Sequence, residues 1–410
     1  MERIVFYYPS KSIGGAQLLF IRLADYLANF HNFEIYYVDY DDGFSRDFLK
    51  TSPVKYIYFI KGKKIKLPDY SIVIIPSNFI FFVDQNFELT DNTMFFFWTI
   101  HPENIRSFLI DFRNKTLLSK KNRHKIGGLL VKLYNLGLLH YMDYVNYIFN
   151  AKFFEFEITD INYLQIPIGA GILSEYKKEP HHFKKNIRLA WLGRLDKDKI
   201  NSVKLILNEI DSCNNKSNIA FYIIGVGTEF ESLKSLINQY SFKIELLGRL
   251  QGDELDDYIS NNVDIGVAMG TSAFEIAKRA VPVIMIDVYD KVYPADYMKY
   301  DLLHQIKNYS LGSSYPFMHN EKRSQSFKEV IRVILENYEY HSRKSWEYVK
   351  ENHSIDVVGQ KLLNNINNLK WVNQGIQKEI LTEVKRIKES HDNSFSVRTI
   401  NYLRKLIHGS

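Results

Sequence analysis

Cysteine is almost missing from this chain: Cys213 is the only one in 410 residues. A single thiol can form neither an intrachain disulfide nor a cysteine-rich metal site, so an apolar core must hold the fold, as in proteins of a reducing compartment. Long apolar runs are missing too. The two longest stretches, Ser71 to Val83 and Met94 to Ile100, are interrupted or short beside the roughly 18 residues a membrane-spanning helix needs. From Met1 the chain enters Arg3-Ile-Val-Phe-Tyr-Tyr8 with no charged leader or small-residue cleavage site, and the expectation is a cytosolic chain. Acidic residues are missing from one segment in particular. Residues 113 to 140 hold no Asp or Glu but carry Arg113, Lys115, Lys120, Lys121, Arg123, Lys125 and Lys132. The net charge of +6 is therefore local. With that segment set aside the rest is close to neutral, which argues against a nucleic-acid binder and for one anionic partner.

The chain has 46% apolar residues, enough for two cores of roughly 150 residues each. Runs rich in β-branched and aromatic residues at Ile4 to Tyr8, Phe33 to Val38, Val54 to Ile60, Tyr70 to Ile75 and Thr93 to Ile100 predict buried parallel strands. Between the first two, Ala16, Leu19, Leu23 and Leu27 mark an amphipathic helix behind Gly14-Gly15, which makes a βαβ unit. A polar stretch from Glu175 to Asn186 reads as a domain boundary. Beyond it strands and helices alternate: strands at 187–192, 219–224, 243–247, 263–268 and 281–286, helices near 200–210, 230–240, 253–260 and 272–279. That order predicts a parallel sheet covered on both faces. Phe327, Val330, Ile331, Ile334 and Tyr338 mark a further helix, and Ile355, Val358, Leu362 and Ile366 another behind the cap Ser354. No internal repeat or low-complexity tract interrupts the pattern.

Ligands of doubly wound sheets bind beyond the carboxyl ends of strands, so the loops there carry the candidate chemistry. After Leu192 comes Gly193-Arg194-Leu195, with Lys199 five residues past Arg194; two cations beside a glycine suit a diphosphate, though an ordinary solvated loop has the same composition. After Ile224 comes Gly225-Val-Gly227, whose backbone N–H groups could face an anion. Neither this pair nor Gly14-Gly15 has the third glycine of the dinucleotide fingerprint, so hydride transfer is disfavoured. Met269-Gly270-Thr271-Ser272 opens a helix that Thr271 and Ser272 can cap, with Glu275 either facing a ligand or acting as a capping carboxylate. In the first half, His101 ends a strand before Pro102, which favours an extended residue pointing off the sheet. Asp39-Tyr-Asp41 is a decoy of metal-binding type, read here as a solvated loop.

Taken in order, Gly14-Gly-Ala-Gln17, His101, Gly193-Arg-Leu-Asp-Lys-Asp-Lys199, Ile223-Ile-Gly-Val-Gly227, Leu246-Leu-Gly-Arg-Leu250 and Glu275-Ile-Ala-Lys-Arg-Ala-Val-Pro-Val-Ile284 resemble glycosyltransferase family four, the group 1 transferases, from residue 1 to about residue 370. The resemblance implies an α/β protein of GT-B fold, two Rossmann-like parallel-sheet domains facing across a cleft. An acceptor domain would span 1–175, a nucleotide-sugar domain 186–340, a crossover helix back to the first domain 341–370, and an amphipathic helical tail 371–410. It also implies that Arg194 and Lys199 hold the donor diphosphate, Glu275 the ribose and the backbone at Leu250 the base. His101 would approach the donor sugar, and Gly14 and Gly15 would let the first domain's loop close on it. Transfer would retain anomeric configuration with no cofactor and no metal. The expected enzyme is of hexosyl type and builds bacterial lipopolysaccharide or capsule; the alternatives are a catalytically silent nucleotide-sugar binder and a transferase acting on protein. Three positions depart from the pattern: Val267 stands eight residues before Glu275 where the family has another glutamate, and Ile200 and Ala280 replace glycines.

Two amphipathic segments suggest further partners. Ile126, Leu129, Leu130, Leu133 and Leu136 beside the cationic run predict that 113–140 lies on an anionic membrane, making the chain peripheral on the inner face of the cytoplasmic membrane. In the tail, Ile376, Ile380, Val384 and Ile387 form one stripe and Ile400, Leu403 and Ile407 another, suited to pairing with a second subunit through 371–410 or to added membrane affinity.

Overall fold

The structure, a computed structural model, describes residues 3–11, 14–90, 92–107, 120–169, 172–176, 186–289, 300–312, 325–369 and 374–392. It divides into two compact units, Met1–Pro167 with Ile355–Ser410, and Ile168–Ser354.

The first unit opens with β1 (Arg3–Tyr7), α1 (Gly15–Phe30), β2 (Glu34–Asp39), the single turn α2 (Ser45–Phe48), β3 (Lys55–Tyr58) and β4 (Ser71–Pro76). After the short α3 (Val83–Asn86) come β5 (Thr93–Thr99), α4 (Asn104–Ser107), α5 (Lys120–Asn135), β6 (Leu139–Tyr141) and α6 (Tyr144–Phe154). The six strands are parallel in the order β3-β2-β1-β4-β5-β6, the doubly wound order with its switch point between β1 and β4. β1, β4 and β5 read as apolar runs because helices cover both faces: Ile4, Phe6, Ile74, Phe96 and Trp98 are fully buried.

The second unit repeats this order with β7 (Ile187–Leu192), α7 (Ile200–Asp211), β8 (Ile219–Ile224), α8 (Phe230–Leu236), β9 (Lys243–Gly248), α9 (Gly252–Asn262), β10 (Ile265–Ala268), α10 (Thr271–Ala277) and β11 (Val283–Ile286). β12 (Tyr300–Leu302), which the periodicity does not announce, adds an antiparallel edge to give β12-β11-β10-β7-β8-β9. The switch point here lies between β7 and β10. α11 (Phe327–Glu336) starts at a capping box of Ser326 and Glu329, and α12 (Tyr338–His353) follows it directly. The chain then returns to the first unit with α13 (Ile355–Leu369) and α14 (Gln374–Asp392). α13 lies so close to α1 that a side chain at Gly359 would meet the Tyr26 ring at 2.5 Å.

Both amphipathic stripes are used inside the first unit. Ile126, Leu129, Leu130 and Leu133 of α5 are buried, so this face is core and is not available to a membrane; the described part of the segment is a packed helix. Arg123 and His124 face Glu155, and Lys132 reaches Glu379 and Glu383 of α14. Ile380, Val384 and Ile387 of α14 are buried likewise, which removes that stripe as a subunit interface. The residues from 108 to 119, with Arg113 and Lys115, and the stripe at Ile400, Leu403 and Ile407 lie outside the described residues. No described helix is long and apolar enough to cross a membrane.

Candidate functional site

In the second unit the loops after β7, β8 and β10 emerge from neighbouring strands at one edge, on both sides of the switch point. The first two are joined backbone to backbone. Gly193 N–H donates to the Ile224 carbonyl (3.0 Å), Leu195 N–H to that of Val226 (3.0 Å), and Glu229 N–H to that of Leu195 (2.8 Å). A side chain at Gly225, whose φ is +145°, would come within 1.9 Å of the Gly193 oxygen, and one at Gly227 within 2.4 Å of the Leu195 carbonyl. These glycines are therefore required by loop-on-loop packing. The amides of Gly193 and Gly225 are spent inside the protein, the latter on the Gly248 carbonyl at 2.7 Å, so the expected anion contact cannot come from them.

What the joined loops present is a pair of cations. Asp196, with its carboxylate on Thr228 N–H (3.0 Å), turns the chain, and the Asp196 carbonyl accepts from both Lys199 and Ile200 at 2.9 Å to start α7. Arg194 lies at 66% side-chain exposure, held by Asp196 (2.6 Å) and Asp198 (3.6 Å). Lys199, the residue preceding α7, is half-buried and makes no ion pair among the described residues. Burial pushes its pKa below the usual lysine value, and the charge of Arg194 pushes it the same way. Lys197, in the same loop, is exposed.

At β10 the structure corrects the capping assignment. The residue preceding α10 is Gly270, at φ +62° and ψ −149°, a conformation open only to glycine, and its N–H donates to the Leu311 carbonyl. Thr271 and Ser272 are the first two helical residues and do not cap the helix with their side chains. Glu275 is the fifth, too far along to cap. Its carboxylate lies 2.8 Å from Lys278 Nζ, which is 2.8 Å from Asp256 of α9 as well. Lys278 is only 5% exposed. The sequence reading missed this buried bridge; its signal was a lysine three positions after Glu275 on one helical face. Val267, where the resembling family has glutamate, is fully buried between Trp191 and Ile284. Leu250 follows β9 just before Gln251, which precedes α9, and is half-buried. A cavity of about 460 Å³ lined by Ile187, Cys213 and Ile219 lies at the opposite, amino end of β7 and β8.

In the first unit, Gly14 precedes α1 in an extended conformation and Gly15 is its first residue. His101 sits in the turn after β5. Its Nδ1 accepts the Glu103 N–H (3.2 Å) and its own N–H donates to Asn104 Oδ1 (2.8 Å). A ring whose Nδ1 accepts keeps its proton on Nε2. Desolvation holds the His101 pKa below the ordinary value, only partly opposed by Glu103, so the ring is a neutral Nε2–H donor at pH 7. The Asp39 decoy is resolved by its partners: the buried carboxylate accepts from Ser10 N–H (2.8 Å), Tyr40 N–H (2.8 Å), Ser45 N–H (3.1 Å) and Ser45 Oγ (2.5 Å), while Asp41 pairs with Arg46. Asp39 is a loop anchor.

No protein-family profile matches the chain, and no curated protein matches it in sequence. Solved structures match it in fold. A glycosyltransferase from Rickettsia africae does so with a TM-score of 0.61 at 12% identity, over 90% of this chain and 99% of that one. Anabaena Alr3699/HepE, solved with UDP and glucose, gives 0.51 at 12% over 90% and 100%. The lipopolysaccharide outer core galactosyltransferase WaaB gives 0.52 at 13% over 89% and 99%. Identities this low speak for fold alone. Two Rossmann-like units of matching strand order are the GT-B architecture of these glycosyltransferases, and this chain has the GT-B fold.

Proposed function

We propose that the chain transfers a hexosyl group from a nucleotide sugar to a glycan or lipid-linked acceptor in the synthesis of a bacterial surface polysaccharide. The observation that carries this reading is Lys199, a half-buried cation with no ion pair among the described residues, beside Arg194 at the switch-point end of β7. Such a cation is prepared for an anion, and a departing nucleoside diphosphate supplies one. Glu275, oriented by Lys278, would take the ribose hydroxyls, the backbone at Leu250 the base, and the Nε2–H of neutral His101 a hydroxyl of the donor sugar. In the proposed step the acceptor oxygen bonds to the anomeric carbon on the face the phosphate leaves. The bond from that carbon to the phosphate oxygen breaks with its electron pair, and the acceptor proton passes to the leaving phosphate. Configuration is retained with no enzyme nucleophile. The protein's part is positioning and charge neutralisation. Complexes of HepE with UDP and UDP-glucose and the lipopolysaccharide galactosyltransferase WaaB support the donor class and the surface-glycan setting.

The burial of Val267 favours a second reading, a chain that binds the nucleotide sugar without turning it over, because no side chain there can hold the sugar as the family's glutamate would. A panel of nucleotide sugars decides between them. A transferase is stabilised by one donor and hydrolyses it slowly without acceptor; stabilisation without any hydrolysis identifies the silent binder, and no stabilisation by any of them refutes both.

A further inference from the structure

β3 is the edge strand of the first unit, and the chain leaving it makes a tight turn in which Lys63 N–H donates to the Ile60 carbonyl (3.0 Å) and Gly62 takes a φ of +83°. Tyr58, the last residue of β3, is 51% exposed, and Ile60, which opens the turn, 52%. Lys61, Lys63, Lys64 and Lys66 surround them, all exposed and without an ion pair among the described residues. Of the carboxylates near the loop, Asp41 pairs with Arg46 and Asp42 with Lys11, while Glu88, whose N–H donates to the Ile65 carbonyl, and Asp69 are exposed. Both ends of the loop are pinned. Phe59 N–H donates to the Asp39 carbonyl (2.8 Å), and Ile65 is buried, with its own N–H on the Asn86 carbonyl (2.8 Å). The exposed isoleucine is therefore a feature of an ordered turn.

We propose that this loop docks the first unit onto an anionic phospholipid bilayer, with Ile60 entering the boundary of the acyl layer and the four lysines meeting the headgroups. Four like charges within six residues repel one another, and an apolar tip among them is unfavourable in water. A surface that is negative outside and apolar just beneath relieves both costs together. A soluble polyanion would satisfy the lysines and leave Ile60 in water; an apolar protein groove would take Ile60 and leave the lysines unmatched. The partner expected from the sequence at 113–140 is thus assigned to a different surface, because the apolar face of α5 is core. The loop leaves the carboxyl edge of the parallel sheet, which also carries Gly14 and His101, so docking would bring that edge to a lipid-linked acceptor. That last consequence rests on the proposed transferase reading; the docking does not.

The test is co-sedimentation of the full chain with vesicles of phosphatidylcholine alone or mixed with phosphatidylglycerol, with no donor present. A lysine near an anionic surface is worth about fivefold in affinity, so Lys61→Ser combined with Lys63→Ser weakens binding to the mixed vesicles about 25-fold at low salt. That loss shrinks at high salt, whereas the loss caused by Ile60→Ser persists. Ile60→Trp emission shifts to the blue with mixed vesicles and not with heparin. Unaltered thermal melting of each variant shows that it folds. Unchanged vesicle binding in the double lysine variant overturns the proposal. So does loss of binding only when Lys120, Lys121 and Lys125 are neutralised, or an Ile60→Trp shift produced by heparin and not by vesicles, which assigns the loop to a soluble polyanion. Donor stabilisation, measured separately, reports on the transferase reading alone.

Discussion

Replacing Lys199 with methionine should make the protein slower and more stable at once. Methionine keeps the apolar stem and removes the charge. Loss of one preorganised partner of a developing charge costs roughly 3 to 4 kcal/mol, or a 100- to 1000-fold fall in turnover at saturating donor. Stability moves the other way because burial and Arg194 disfavour the charged form of Lys199 in the folded state. The folded pKa lies below the unfolded value of 10.5. Between the two, the unfolded chain binds the extra proton, so wild-type stability rises with pH across that window; below it, the whole penalty is present. Lys199→Met therefore melts higher than wild type at pH 7, and its advantage declines as pH climbs towards 10.5. Calorimetry across that range, paired with single-donor turnover assays, measures both effects, with exposed Lys197→Ala as the control that keeps most activity. Turnover within a few fold of wild type, or a lower melting temperature at pH 7, would refute the reasoning.

Lys278→Met should destabilise the second unit by about 3 to 5 kcal/mol, since it strands Asp256 and Glu275 without their buried cation; urea titration checks this, and adding Asp256→Asn should restore part of the loss while donor KM stays raised. Gly225→Ala should cost about 2 to 6 kcal/mol, combining strain at positive φ with a clash against Gly193, as chemical denaturation would show. For His101, whose folded pKa lies below the ordinary 6.5, the unfolded chain takes up the proton first as pH falls. Stability should then decline below pH 6.5, and the acid limb of kcat/KM should fall below 6.5 and vanish in His101→Gln, which a pH profile of both proteins tests.

The sheets were legible because strands buried on both faces have little freedom in composition: Ile72 to Ile75 and Phe95 to Trp98 can hardly be anything else. β6 and β12, three residues each and containing His140 and Asp301, have no such signature. α12 shows no clean apolar stripe in the sequence because its buried face mixes Tyr338, Trp346 and Val349 with His341, Ser342, Ser345 and His353, polar groups whose burial only the fold reveals. The cations at the end of β7 could be found from spacing, but the engagement of Gly193 and Gly225 with backbone could not, since a glycine's need for space depends on what approaches it. The stripe on α5 shows the same limit. Helical spacing states that a face wants cover and is silent on whether protein or lipid provides it.

Gly225 and Gly227 leave no room between the loops after β7 and β8, so the two segments are one mechanical part. Grafting a foreign β8 loop onto this scaffold would carry Arg194 out of place as well. Libraries aimed at this edge of the sheet would have to vary 193–199 and 225–229 jointly, as a matched pair of pieces from a single parent.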